Sequence, residues 1–75
     1  MTLSDAKKGQ KIKILKIDDS NARHQTIRLG LGEGSHVLCS GKLPSGPILL
    51  KLGLQEVAIG RSLAAKITIA LQEVQ

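Results

Sequence analysis

The sequence predicts a mainly β fold, a small barrel that closes or nearly closes its sheet, and three observations carry that expectation. Short runs alternate apolar and polar residues with the period of two that a half-buried strand requires. Glycine, proline and short polar residues separate those runs at close intervals. A segment with helix-capping residues follows the first run, and one helical turn precedes the last.

The first run is Gly9 to Ile17, GQKIKILKI. Ile12 and Ile14 share a face with Gln10, while Lys11 and Lys13 take the other. Leu15 and Ile17 then fall on the opposite phase, a slip that a bulge or sharp bend accommodates. Asp18, Asp19, Ser20 and Asn21 offer side-chain oxygens to the orphan amides of a helix start. From Ala22 to Leu29 the apolar positions Ala22, Ile27 and Leu29 recur with loosely helical spacing, leaving Arg23, His24, Gln25 and Arg28 to solvent. Gly30 stands where a left-handed C′ residue ends such a helix, and Leu31 is then the C″ residue that packs back on its last turn.

Ser35–Ser40 and Ile48–Leu52 read as strands, joined by a long hairpin tip, Gly41–Pro47, whose turn formers neither strand would tolerate inside. Gly53 breaks the second of these, Glu56–Gly60 supplies a further short strand, and Arg61–Lys66 has room for one helical turn. Ile67–Leu71 alternates again and ends the fold. All 75 residues form one domain, with no internal repeat or linker.

Composition narrows the function classes. The core has no Phe, Tyr or Trp to draw on and is built from Leu, Ile, Val and Ala. The single cysteine, Cys39, rules out an internal disulfide and reads as a small core residue. Without a signal-like apolar run or about 18 successive apolar residues, a cytoplasmic chain is expected. Eleven Lys and Arg against six Asp and Glu give a net charge of +5, which favours an acidic partner, nucleic acid or anionic surface. A basic nucleic-acid-binding barrel is one reading, although nothing aromatic is present to stack on bases.

The glycines Gly30, Gly32 and Gly34 match neither the dinucleotide fingerprint nor the P-loop, and they follow a helix rather than precede one, so they read as a helix stop and a turn. His36 and Cys39 are three apart in a strand and leave it on opposite faces. Two histidines and scattered acids make no catalytic triad or carboxylate pair, and no enzyme is expected. Lys7, Lys8, Lys11, Lys13 and Lys16 form the densest basic cluster, which fits either a strand edge guarded by lysines or a dock for something acidic. Leu43, Pro44 and Pro47 on the hairpin tip serve either as a contact surface or as a cap on the barrel.

The order of motifs resembles the FeoA family over nearly the whole length: Gly9 before a basic-apolar strand, Leu29-Gly30-Leu31 followed by Gly34, the turn Gly46-Pro47, and Val57-Ala58-Ile59-Gly60 followed by Ala64 and Ile67. The resemblance implies an SH3-like barrel and an accessory role in ferrous-iron uptake beside FeoB, a membrane GTPase and iron permease. On that expectation the partner-binding residues are Arg23, Arg28, Leu43, Pro44 and Pro47, and self-association through strand edges is conceivable. No cofactor is expected. Transition-metal binding is attributed to this domain type, which makes His24, Glu33 and His36 candidates for a weakly held ion and a metal-binding regulatory domain an alternative. Glu33 stands where relatives often carry Pro, and Leu49 and Leu50 lengthen the apolar run of their strand. The barrel also ends iron-dependent repressors, but with no winged-helix portion ahead of it here, a DNA-binding regulator is not expected.

Overall fold

A computed structural model describes residues 1–72; the last three residues of the expected domain lie outside the described residues. The strands are β1 (Lys11–Ile17), β2 (His36–Lys42), β3 (Ile48–Leu52), β4 (Gln55–Ile59) and β5 (Ile67–Leu71), with α1 (Ser20–Arg28) between β1 and β2 and α2 (Arg61–Ala64) between β4 and β5. All neighbours are antiparallel in one sheet of order β4-β3-β2-β1-β5, the SH3-like arrangement expected. The N-terminus fills the space beside β5: Thr2 bridges Thr68, the Ile69 amide donates to the Met1 carbonyl, and a 3₁₀ turn at Leu3–Asp5 packs on α2.

β1 carries the expected slip as a bulge. Its register against β5 runs Ile14↔Ile69 and then Lys16↔Thr68, so Leu15 is the extra residue and is 48% exposed, while Ile17 returns to the core. Ile12, Ile14 and Ile17 thereby join Val37, Cys39, Ile48, Leu50, Ile59, Ile67 and Ile69 in one aliphatic interior. β2 runs two residues further than expected, to Lys42, across a second irregularity between Cys39 and Gly41. β3 and β4 form a tight hairpin in which Leu52 pairs Gln55, and Gly53 takes φ +56° at the first central position, as a type II′ turn requires.

α1 departs from its expected face. Ala22 and Thr26, four residues apart, are the buried positions, and Ile27 is 58% exposed because it lies around the helix from them. Burying Thr26 is tolerated because its hydroxyl donates to the Arg23 carbonyl at 3.0 Å. The helix starts at Asp19, whose carboxylate accepts from the Ala22 amide, and ends in a full Schellman motif. Gly30, at φ +84°, donates to the Ile27 carbonyl, the Leu31 amide donates to that of Thr26, and Leu31 is fully buried.

No periodicity marks the N-terminus as core, yet Leu3 and Ala6 are fully buried in the interior. Their turn is held by Asp5, whose carboxylate accepts the Thr2 amide at 3.0 Å; that hydrogen bond keeps the Asp5 carboxyl below its usual value. Because the folded-state value is lowered, the contribution of this turn is complete above about pH 4 and is lost as pH falls through the folded value. Urea unfolding of wild type and Asp5→Asn from pH 6 to pH 2 should therefore give a stability gap that is widest at pH 6 and narrows in acid. Gly30→Ala, which forces a side chain into the left-handed region, should lower stability by about 1–2 kcal/mol in the same assay. A cost near zero would mean that the helix ends some other way.

Candidate functional site

The β2–β3 tip is a rigid projection rather than a floppy loop. The Gly46 amide donates to the Leu43 carbonyl, closing a turn with Pro44 and Ser45 at its centre, and Leu43 donates across the tip to the Pro47 carbonyl. Arg61, from the start of α2, reaches over the tip: its Nε donates to the Gly46 carbonyl at 2.9 Å and its Nη2 to the Leu43 carbonyl at 2.7 Å. At the base, Lys42 Nζ donates to the Ser4 carbonyl at 2.7 Å. Leu43 is left 49% exposed, Pro44 is exposed and Pro47 is half-buried.

α2 links this tip to α1. Arg61 at one end of α2 holds the tip, and Lys66 just beyond its other end pairs with the capping carboxylate of Asp19 at 3.5 Å. Between α1 and α2 lies a polar cleft of about 180 Å³, lined by Asp19, Asn21, Gln25, Ser62 and Lys66 among others. Arg28 is exposed in the last turn of α1. Arg23 serves a different purpose: its Nη2 donates to the Ile17 carbonyl at 3.2 Å and lies 3.6 Å from Glu33 Oε2.

The same Glu33 oxygen accepts the Ile17 amide at 3.1 Å. Ile17 lies past the last β1–β2 pair, and the next residue, Asp18, uses its amide on Lys66 beyond β5. The two side chains therefore satisfy backbone groups that no strand reaches. This is the position at which the resemblance notes a departure from Pro, and a proline side chain has no oxygen to accept that amide.

The three metal-ligand candidates lie on different elements: His24 on α1, Glu33 in the following turn and His36 at the start of β2, with both histidines exposed. No group of three or more His, Cys, Asp or Glu side chains is gathered in metal-holding range among the described residues. His36 and Cys39 leave β2 on opposite faces as expected, Cys39 fully buried with its Sγ 3.5 Å from the Gly41 carbonyl. The amides of the glycine stretch are all taken internally: Gly30 by Ile27, Gly32 by the Ser35 hydroxyl and Gly34 by Ile14. They do not form an anion cradle. Sequence reasoning missed Arg61, because a lone arginine after Gly60 carries no signal of the hairpin it will meet 15 residues upstream.

Comparisons with known proteins agree with this geometry. The chain is similar to a crystal structure of an iron uptake regulatory protein, FeoA, at 29% identity, with 96% of this chain and 100% of that one covered and a TM-score of 0.85. An FeoA-like protein from Clostridium acetobutylicum, solved by NMR, shares the fold at 23% identity, with 100% and 90% coverage and a TM-score of 0.86. So does ScaR with bound Cd2+, at 22% identity and a TM-score of 0.83; 92% of this chain matches 34% of that longer one. No curated protein matches the sequence. The family model for the FeoA domain matches residues 1–71, which takes in all five strands, both helices and the tip held by Arg61, and the chain belongs to the FeoA family.

Proposed function

We propose that this chain is a cytoplasmic, non-enzymatic accessory module that docks on FeoB, the membrane GTPase and iron permease of ferrous-iron uptake. FeoA-family membership implies a role in ferrous iron transport. No described helix is long and apolar enough to cross a membrane. The observation that carries the reading is the tip: Leu43 and Pro44 are presented to solvent on a backbone fixed by two hydrogen bonds from Arg61. A contact loop ordered in advance gives up little conformational entropy on binding. The surface continues over α2 to α1, where Arg28, with no ion-pair partner among the described residues, supplies positive charge. Leu43, Pro44 and Pro47 provide the apolar centre and Arg28 the basic flank; Arg23, expected beside it, is engaged by the Ile17 carbonyl and Glu33.

Calorimetric titration of the full chain into detergent-solubilised FeoB tests this directly. Binding is expected, and Leu43→Ser should weaken it about tenfold, as truncation of an apolar anchor does. Arg61→Ala should weaken it as well while costing about 1 kcal/mol of stability, and Arg61→Lys should not restore it, because one ammonium cannot fork to both carbonyls. Absence of binding at roughly 1 mM, or a Leu43→Ser variant that binds as well as wild type, would overturn the docking surface.

A further inference from the structure

Lys11, Lys13, His36 and Lys51 stand together on the outer face of the sheet, and the fold has no use for them there. The sequence allows lysines along β1 to guard a strand edge, but β1 lies between β2 and β5 and has no open edge to guard. The edge strand β4 carries no lysine. Register places Lys11 beside Leu38 and Leu38 beside Lys51, with Lys13 directly opposite His36 in the next row. Strands about 4.8 Å apart set Lys11 and Lys51 roughly 10 Å from each other, one on each side of Leu38.

A mostly apolar groove of about 220 Å³ runs over that row, lined by Lys11, His36, Val37, Leu38, Lys51 and Gln72. Glu56, which pairs with Lys51 across β3 and β4, turns its carboxylate to the Ser40 hydroxyl at 2.8 Å instead. The ion pairs among the described residues use Lys16, at the far end of β1, Arg23 and Lys66, and none involves Lys11, Lys13 or Lys51. Lys11 and Lys51 thus flank Leu38 with no ion-pair partner among the described residues, and their ammonium groups can meet negative charge from outside.

We propose that this face binds an acidic peptide segment, one apolar side chain seated over Leu38 and carboxylates on either side reaching Lys11 and Lys51. The chemistry favours a peptide over nucleic acid: the chain offers no aromatic side chain for base stacking, and this face has no arginine to fork onto phosphate. A concave apolar floor receives a side chain better than it receives a flat bilayer surface. The site shares no residue with the tip and α1, so it stands or falls separately from docking on FeoB.

The test uses the full chain and a fluorescein-labelled peptide with the core Asp-Glu-Leu-Asp-Glu between Gly-Ser flanks, followed by anisotropy at low salt. Saturable binding is expected, and it should weaken about tenfold in the Lys11→Gln, Lys51→Gln double variant and when the peptide leucine becomes serine. Lys16→Gln with Lys66→Gln removes the same net charge elsewhere and should leave affinity within roughly twofold. No saturable binding, equal loss in the two double variants, or tighter Lys11- and Lys51-dependent binding of a single-stranded oligonucleotide or of phosphatidylserine vesicles would overturn the proposal.

Discussion

The fold depends on one irregularity in β1. Seven residues must deliver Ile12, Ile14 and Ile17 to a single interior, and strict alternation would put the last of them on the wrong face. The extra residue at Leu15 resets the phase. Because β5 pairs with β1 on both sides of that irregularity, the reset lets Ile67 and Ile69 of β5 face the same interior as Ile14 and Ile17. In a chain of this size without aromatic residues, losing an isoleucine from the core would remove stability on the order of 2–5 kcal/mol, a large part of what so small a domain has. The bulge also decides what stays outside, since the same reset turns Lys16, which strict alternation would put on the core side, out to solvent.

Resetting the phase has a second consequence. Ile17 turns its amide and carbonyl away from β5 at a point where β2 is no longer beside it, and buried backbone groups without partners are costly. Glu33 and Arg23 supply the partners from side chains: one carboxylate oxygen for the amide, one guanidinium nitrogen for the carbonyl. Their mutual ion pair is about half exposed and is worth little as a charge interaction alone; its value lies in aligning both groups on one peptide. The same contact ties α1 to the end of β1, and α1 in turn reaches α2 through Asp19 and Lys66. Tip, α2 and α1 are thus carried on one framework.

Much of this was legible in the sequence because it is local. The slip at Leu15, the caps before α1, Gly30 and Leu31 at its end, and the turn formers of the tip act within a few residues of themselves, and the structure has each where the pattern puts it. What was not legible is long-range. Ile27 lost its expected place to Thr26 because a buried hydroxyl can bond back to its own helix, which composition does not signal. Leu3 and Ala6 became core because the N-terminal turn packs beside β5 and on α2, elements far from it in sequence. Arg61 and Glu33 act on partners 15 and 16 residues away, and no spacing rule connects them. The lysine stripe was visible, but its meaning depended on strand order: an edge would have made it protective, and a central strand makes it a charged surface.

Amide hydrogen exchange followed residue by residue tests the role of the bulge most directly. If Glu33 takes the place of a neighbouring strand, the Ile17 amide exchanges slowly in the native chain and far faster in Glu33→Ala, while the amides of Ile14 and Asp18, bonded to the Ser35 and Lys66 carbonyls, keep their protection. An Ile17 amide that exchanges as quickly as the exposed tip, or one indifferent to the loss of Glu33, would contradict the account.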